Sequence, residues 1–158
     1  MRFWKAFLLL VIACFPLVVR AQREKLNPDD LAYVQEKYPE AKRTSTGLRT
    51  ILLKEGKGNL IHPGDTVEAL YEGKLLRGKV FESALDPAHP FSFKVGRDGL
   101  IDGWEEGLQL MRPGEKRILI VPYELGYGSR GNPPRIPREA TLVFTIEILA
   151  VHPATPIQ

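Results

Sequence analysis

The chain has 158 residues, 44% of them hydrophobic and 26% charged, enough apolar material for a core and too much for a disordered chain. Its formal net charge of +3 comes from the N-terminus: residues 1–21 hold three of the 22 Lys and Arg and no acid, leaving 19 basic against 19 acidic side chains beyond them. That balance offers no case for nucleic-acid or anionic-membrane binding.

Residues 1–21 read as an export signal. Arg2 and Lys5 give a basic start, Phe7 to Val19 is almost wholly apolar, and Val19-Arg20-Ala21 offers small residues for cleavage. A spanning helix needs about 20 apolar residues, and this run is shorter, with Pro16 inside it. A retained anchor and a lipoprotein signal ending at Cys14 are the alternatives. Cys14 is the one cysteine, so a chain cleaved at Ala21 holds no disulfide. The location expected is outside the cytoplasm, periplasmic or secreted.

Residues 22–45 form a polar extension. Asn27-Pro28-Asp29-Asp30 predicts a helix start, with Asn at the cap, Pro at the first position and two acids against the dipole. Leu31, Val34 and Tyr38 follow at helical spacing and Pro39 stops the run. So narrow a stripe predicts a helix lying on the domain surface or serving as a spacer; a dimerisation arm is the alternative to a monomer.

From Thr46 the pattern is that of strands. Leu48 to Leu53 is β-rich, Pro63-Gly64-Asp65 is a turn, and Val67, Ala69, Tyr71 and Gly73 share one face. Phe91, Phe93 and Val95 alternate likewise. Leu142, Phe144, Ile146 and Ile148 point one way, with Val143, Thr145 and Glu147 opposite. This predicts an antiparallel sheet with one buried face. One short helix interrupts it: Asp102 as cap, Glu105 completing a capping box, Trp104, Leu108 and Met111 on one face, and Pro113-Gly114 beyond. The class is α+β, a twisted antiparallel half-barrel sheet wrapped around one helix. Pro153 and Pro156 mark residues 151–158 as a flexible tail.

Several local motifs recur in a fixed order: Tyr71-Glu72-Gly73, Val80-Phe81-Glu82-Ser83, Pro90-Phe91-Ser92-Phe93, Leu100-Ile101-Asp102-Gly103-Trp104, Tyr127-Gly128, and Ile136-Pro137 with Ala140-Thr141-Leu142-Val143-Phe144. Over residues 46–150 this set resembles the FKBP family, the macrolide-binding prolyl isomerases. The resemblance implies an apolar hollow floored by Trp104 and walled by Tyr71, Phe81, Phe91, Leu100, Ile101, Tyr127 and Phe144, under a Tyr127–Ile136 loop. It implies catalytic roles for Tyr71, Phe81, Glu82, Trp104, Tyr127 and Phe144, and substrate contacts from Phe91, Leu100, Ile101 and Ile136. Proline-containing polypeptides are the implied partners, macrolides implied ligands, and no metal or cofactor is called for.

The chemistry suits such a hollow. The X–Pro amide resists rotation by about 18–20 kcal/mol because its planar form is resonance-stabilised. Twisting to 90° removes that resonance and leaves less charge separation. A dry site therefore disfavours the planar ground state more than the twisted transition state, which is differential binding. By resemblance the Ile101 N–H and the Tyr127 hydroxyl orient client carbonyls. The family usually has Asp where this chain has Glu82, one methylene longer. Pro87, Asn132 and Arg135 also depart from common family residues, all at the rim. These departures keep open a second reading, a non-catalytic peptide-binding or chaperone module.

Other signals are set aside. Gly126 to Gly131 matches G-x-G-x-x-G, but Asn132-Pro133-Pro134 follows where a dinucleotide site needs a helix. His62, His89 and His152 are dispersed, without metal-ligand spacing. Ser83 and Ser129 lack a nucleophile-elbow context.

Overall fold

A computed structural model describes residues 23–154; the export-signal reading of residues 1–21 lies outside them, as do residues 155–158. Helix α1 (Pro28–Lys37) and strand β1 (Lys42–Arg43) are followed by β2 (Arg49–Lys54), β3 (Thr66–Leu75), β4 (Val80–Ala84) and β5 (Phe91–Lys94). Helix α2 (Asp102–Leu108), β6 (Lys116–Val121) and β7 (Leu142–His152) complete the described order, with short 3-10 turns at Tyr123–Leu125 and Gly128–Arg130.

Among the described residues these strands form one antiparallel seven-stranded sheet, ordered β1-β2-β6-β7-β3-β4, with β5 also on β3. The alternation read in the sequence is the alternation observed. Val67, Ala69, Tyr71 and Gly73 of β3 are buried between half-exposed neighbours. Leu142, Phe144, Ile146 and Ile148 of β7 face the same core. The fold is α+β with the sheet curled around α2, as expected.

Helix α2 sits unusually close to the sheet, and two glycines are the cause. A Cβ on Gly103 would lie 2.6 Å from Val121 Cγ1, and one on Gly107 would collide with Leu119 Cδ1. With both faces bare, the helix settles onto β6 and drives Trp104 and Leu108 into the core, with Met111 just beyond its end. A tryptophan buries about 150–250 Å², worth at most about 4–6 kcal/mol at 25 cal/mol per Å².

The start of α2 differs from the expected capping box. The N-cap is Ile101, with extended φ −64° and ψ 150°, and no side chain caps it. Asp102 is already inside the helix. Both carboxylate oxygens of Glu105 instead accept the Gly96 N–H, at 3.0 and 2.9 Å. The acid three residues on from Asp102 is thus spent on the preceding loop, while both acids still favour the positive helix end.

The outer face of the sheet is not left to water as a single buried face implied. Val143, Ile120 and Leu76 form a second apolar cluster there with Leu26 and Val34 of the N-terminal extension. Asn27 does cap α1, its side chain accepting the Asp30 N–H at 2.8 Å. The Asp30 carboxylate, however, is buried: it accepts from Arg77 Nη1 at 2.6 Å and from the Thr141 hydroxyl at 2.8 Å. The Arg77 guanidinium also lies 5.1 Å from the Tyr33 ring centroid. Helix α1 therefore lies on the domain surface with its apolar stripe spent on its own sheet.

The C-terminal boundary also moves. Strand β7 continues through Val151 and His152, paired with Val67 and Thr66, and the Ala154 N–H donates to Asp65 at 3.0 Å. Ladder bonds hold residues 151–152, and the Asp65 side chain holds Ala154, in a stretch that its nearby prolines suggested was loose. Among the described residues no helix is long and apolar enough to cross a membrane.

Candidate active site

The concave side of the sheet and the start of α2 leave a cavity of about 190 Å³ open to solvent, lined by Tyr71, Glu82, Phe91, Gly99, Leu100, Ile101, Trp104, Tyr127 and Phe144. At about 30 Å³ per water, that is roughly the space of six waters, enough for a five-membered ring. Strand β3 supplies Tyr71, β4 Glu82, β5 Phe91, β7 Phe144, and the loop into α2 supplies Gly99 to Ile101.

The Trp104 indole organises the aromatic walls. Tyr71 stands edge-on to it at 5.0 Å between centroids and 90°, and Phe144 at 5.5 Å and 89°. Phe91 and Phe93 meet the same ring at 6.2 and 5.8 Å, steeply tilted. Edge-to-face geometry suits the ring quadrupoles. It also holds each ring upright, so that the indole is walled around rather than stacked over.

Of the ten expected site residues, eight line this cavity together. Phe81 and Ile136 do not: both are buried and stand behind the lining. The Phe81 ring meets Phe144 edge-on at 5.8 Å and 85°, so it buttresses a wall. Both rings press on Gly73, where a Cβ would fall 2.8 Å from Phe144 and 2.9 Å from Phe81. That close approach requires glycine at this place in β3.

Two residues were missed. Gly99, at φ +70°, turns the chain so that Leu100 and Ile101 edge the cavity; the Asp98-Gly99 dipeptide was the available signal. Phe93 supports the indole from below and was read only as a strand residue. The Gly126–Gly131 run forms one 3-10 turn, Gly128–Arg130, where a dinucleotide loop would open an α-helix.

The polar groups gather at the mouth. Burial first, then the charge and hydrogen-bonding pull of the Glu82 carboxylate, push the Tyr71 phenol up to about 12. Burial and the Glu82 charge also push the half-buried Tyr127 phenol up, against an opposing pull from Arg135. Both phenols keep their protons at ordinary pH; that of Tyr71 is given to Glu82, and that of Tyr127 is the one left to donate to a ligand. Glu82 itself is exposed on β4, opposite Gly73 in register. The Ile101 N–H, in the extended N-cap of α2, has no partner among the described residues.

Comparison with known proteins agrees with this geometry. The family model for FKBP-type peptidyl-prolyl cis-trans isomerases matches residues 58–149. A probable FKBP-type peptidyl-prolyl cis-trans isomerase of Haemophilus influenzae is 39% identical over 133 residues, covering 84% of this chain and 54% of that one. Human peptidyl-prolyl cis-trans isomerase FKBP2 is 48% identical over 94 residues, 60% of this chain and 66% of that one. The crystal structure of FkpA from Escherichia coli superposes with a TM-score of 0.71 at 40% identity, over 80% of this chain and 59% of that one. A peptidyl-prolyl cis-trans isomerase from Pseudomonas syringae superposes at 0.69 and 30% identity, over 79% and 92%. The chain spans between half and two thirds of the length of these curated relatives. With 92 of its residues inside the family's own domain and the aromatic cup in place, this chain belongs to the FKBP-type peptidyl-prolyl cis-trans isomerases.

Proposed function

We propose that the chain is a peptidyl-prolyl cis–trans isomerase acting on exported, proline-containing polypeptides. The observation that carries this reading is the vacant aromatic cup over Trp104, wide enough for a pyrrolidine and open to solvent. A client proline enters the cup and its amide lies in the dry interior. There the charge-separated planar amide loses solvation that the twisted amide needs less, which lowers the barrier. No covalent intermediate forms.

In this reading Trp104, Tyr71, Phe91 and Phe144 enclose the ring, with Phe81 holding Phe144 upright and Ile136 anchoring the overhanging loop. The Ile101 N–H and the Tyr127 hydroxyl donate to client carbonyls on either side of the proline. Glu82 acts by its field at the mouth, where its extra methylene carries the carboxylate outward. Macrolide ligands would occupy the same cup.

The export assignment rests on the basic start, apolar run and small cleavage residues of residues 1–21. Beyond that leader the extension of residues 22–45 is a brace for the isomerase domain of residues 46–150. Burial of its apolar stripe supports a monomer. The test is cis–trans exchange of a short X–Pro peptide, followed by NMR, with the chain beginning at Gln22. Acceleration over the uncatalysed rate is expected; none, with the peptide still bound, would leave the binding-module reading in its place.

A further inference from the structure

The loop overhanging the cup is closed on itself by backbone bonds, and one of its side chains reaches to the cup's mouth. Asn132 and Ile136 exchange backbone bonds, each N–H to the other's carbonyl, at 2.9 and 3.0 Å. Gly131, at φ +69°, backs onto the Pro137 carbonyl so closely that a Cβ has no room. Ile136 is buried and pins the loop, while Arg135 beside it is exposed. Arg135 Nη1 lies 3.5 Å from the Phe81 carbonyl oxygen, one residue before Glu82 of the cavity lining. Its charge also bears on the Tyr127 phenol, another lining residue. Among the described residues no carboxylate forms an ion pair with it.

We propose that Arg135 selects clients carrying an acidic residue next to the bound proline. The selection deepens the isomerase reading and rests on it. A client whose ring fills the cup must run its flanking residues across the mouth, past the guanidinium. An Asp or Glu side chain there gains Coulomb attraction and a planar, two-donor partner. A Lys or Arg is repelled. Glu82 exerts the opposite preference at the same mouth, so the observed selectivity is the difference between the two. The loop's backbone closure and the bond to the Phe81 carbonyl matter because they place the cation at the mouth before the client arrives.

The experiment uses three peptides that differ only in the residue before proline, Glu, Ala or Lys, with the chain beginning at Gln22 and its Arg135→Ala and Arg135→Glu variants. Isomerisation kcat/KM and peptide Kd are both measured, at low and high salt. From the range for exposed ion pairs, the Glu-over-Lys ratio is expected to fall about two- to fivefold in Arg135→Ala and to invert in Arg135→Glu. Salt should compress the wild-type ratio. Ratios unchanged in both variants, with the Ala peptide still turned over, would overturn the proposal. If even the Ala peptide is not accelerated by the wild type, the isomerase reading fails separately, and the Kd ratios alone decide the charge selection.

Discussion

The Tyr71 ring stands perpendicular to the Trp104 indole, 5.0 Å between centroids, with its hydroxyl under the influence of Glu82 at the cavity mouth. One residue thus joins the aromatic floor to the charged rim. Its titration follows. A phenol held near 12 when folded, against about 10 in an unfolded chain, keeps its proton more tightly folded. Its contribution to stability is complete below about pH 10 and is lost as pH rises from there through about 12. Urea melts between pH 9 and 12 should show a decline that Tyr71→Phe reduces; an identical decline in the variant would contradict the assignment.

Phe81 and Tyr127 separate packing from orientation. Phe81→Ala removes a buried ring that holds Phe144 upright, so a loss of about 3–5 kcal/mol in stability is expected, together with most of the isomerase rate. Tyr127→Phe keeps the half-buried ring and deletes one donor. A fall in kcat/KM of about fivefold, equivalent to about 1 kcal/mol, is expected with little change in melting temperature. Chemical denaturation and an exchange assay on the same preparations distinguish the two patterns.

The helix-to-sheet approach is equally open to test. Gly107→Ala gains up to about 1 kcal/mol of helix propensity, but its methyl meets Leu119 and overpacking costs about 1–3 kcal/mol. The clash wins, because Leu119 is fully buried and has nowhere to retreat. Net destabilisation is expected, and Leu119→Ala in the same chain should recover part of it. A double-mutant cycle with zero coupling would contradict the close approach.

Asp30 tests the brace. Its removal leaves Arg77, whose side chain is 53% exposed, free to be hydrated, so the larger cost of stranding a buried charge does not apply. What is lost is the buried bond from the Thr141 hydroxyl to a charged acceptor, about 1.5–3 kcal/mol, the half-exposed Arg77 pair adding little. Asp30→Ala should lower stability by that order and loosen hydrogen-exchange protection along α1. Isomerase activity per folded molecule should stay the same, since Asp30 lies on the far face of the sheet.

Strands β3 and β7 were legible because one face of each is apolar at every second residue, Val67 to Gly73 and Leu142 to Ile148, and that period follows from the pleat. The aromatic set was legible because each ring sits in its own local motif. Depth was not. A residue that faces inward either touches the cavity, as Phe144 does, or backs a neighbour that does, as Phe81 does, and the pleat is the same for both. The covering of the outer face had a faint trace: Val143 is apolar on a side otherwise carried by Thr145 and Glu147. The partner of Glu105 left none, since a carboxylate at that spacing looks the same whether it turns to its own helix or to the Gly96 N–H.

That last bond has a consequence for how a client is met. By gripping Gly96, Glu105 ties the segment carrying Gly99, Leu100 and Ile101 to the same helix that bears the indole. Wall and base are therefore set against each other when the chain folds, ahead of any encounter. In the isomerase reading, an arriving proline meets that wall already placed and does not have to recruit it.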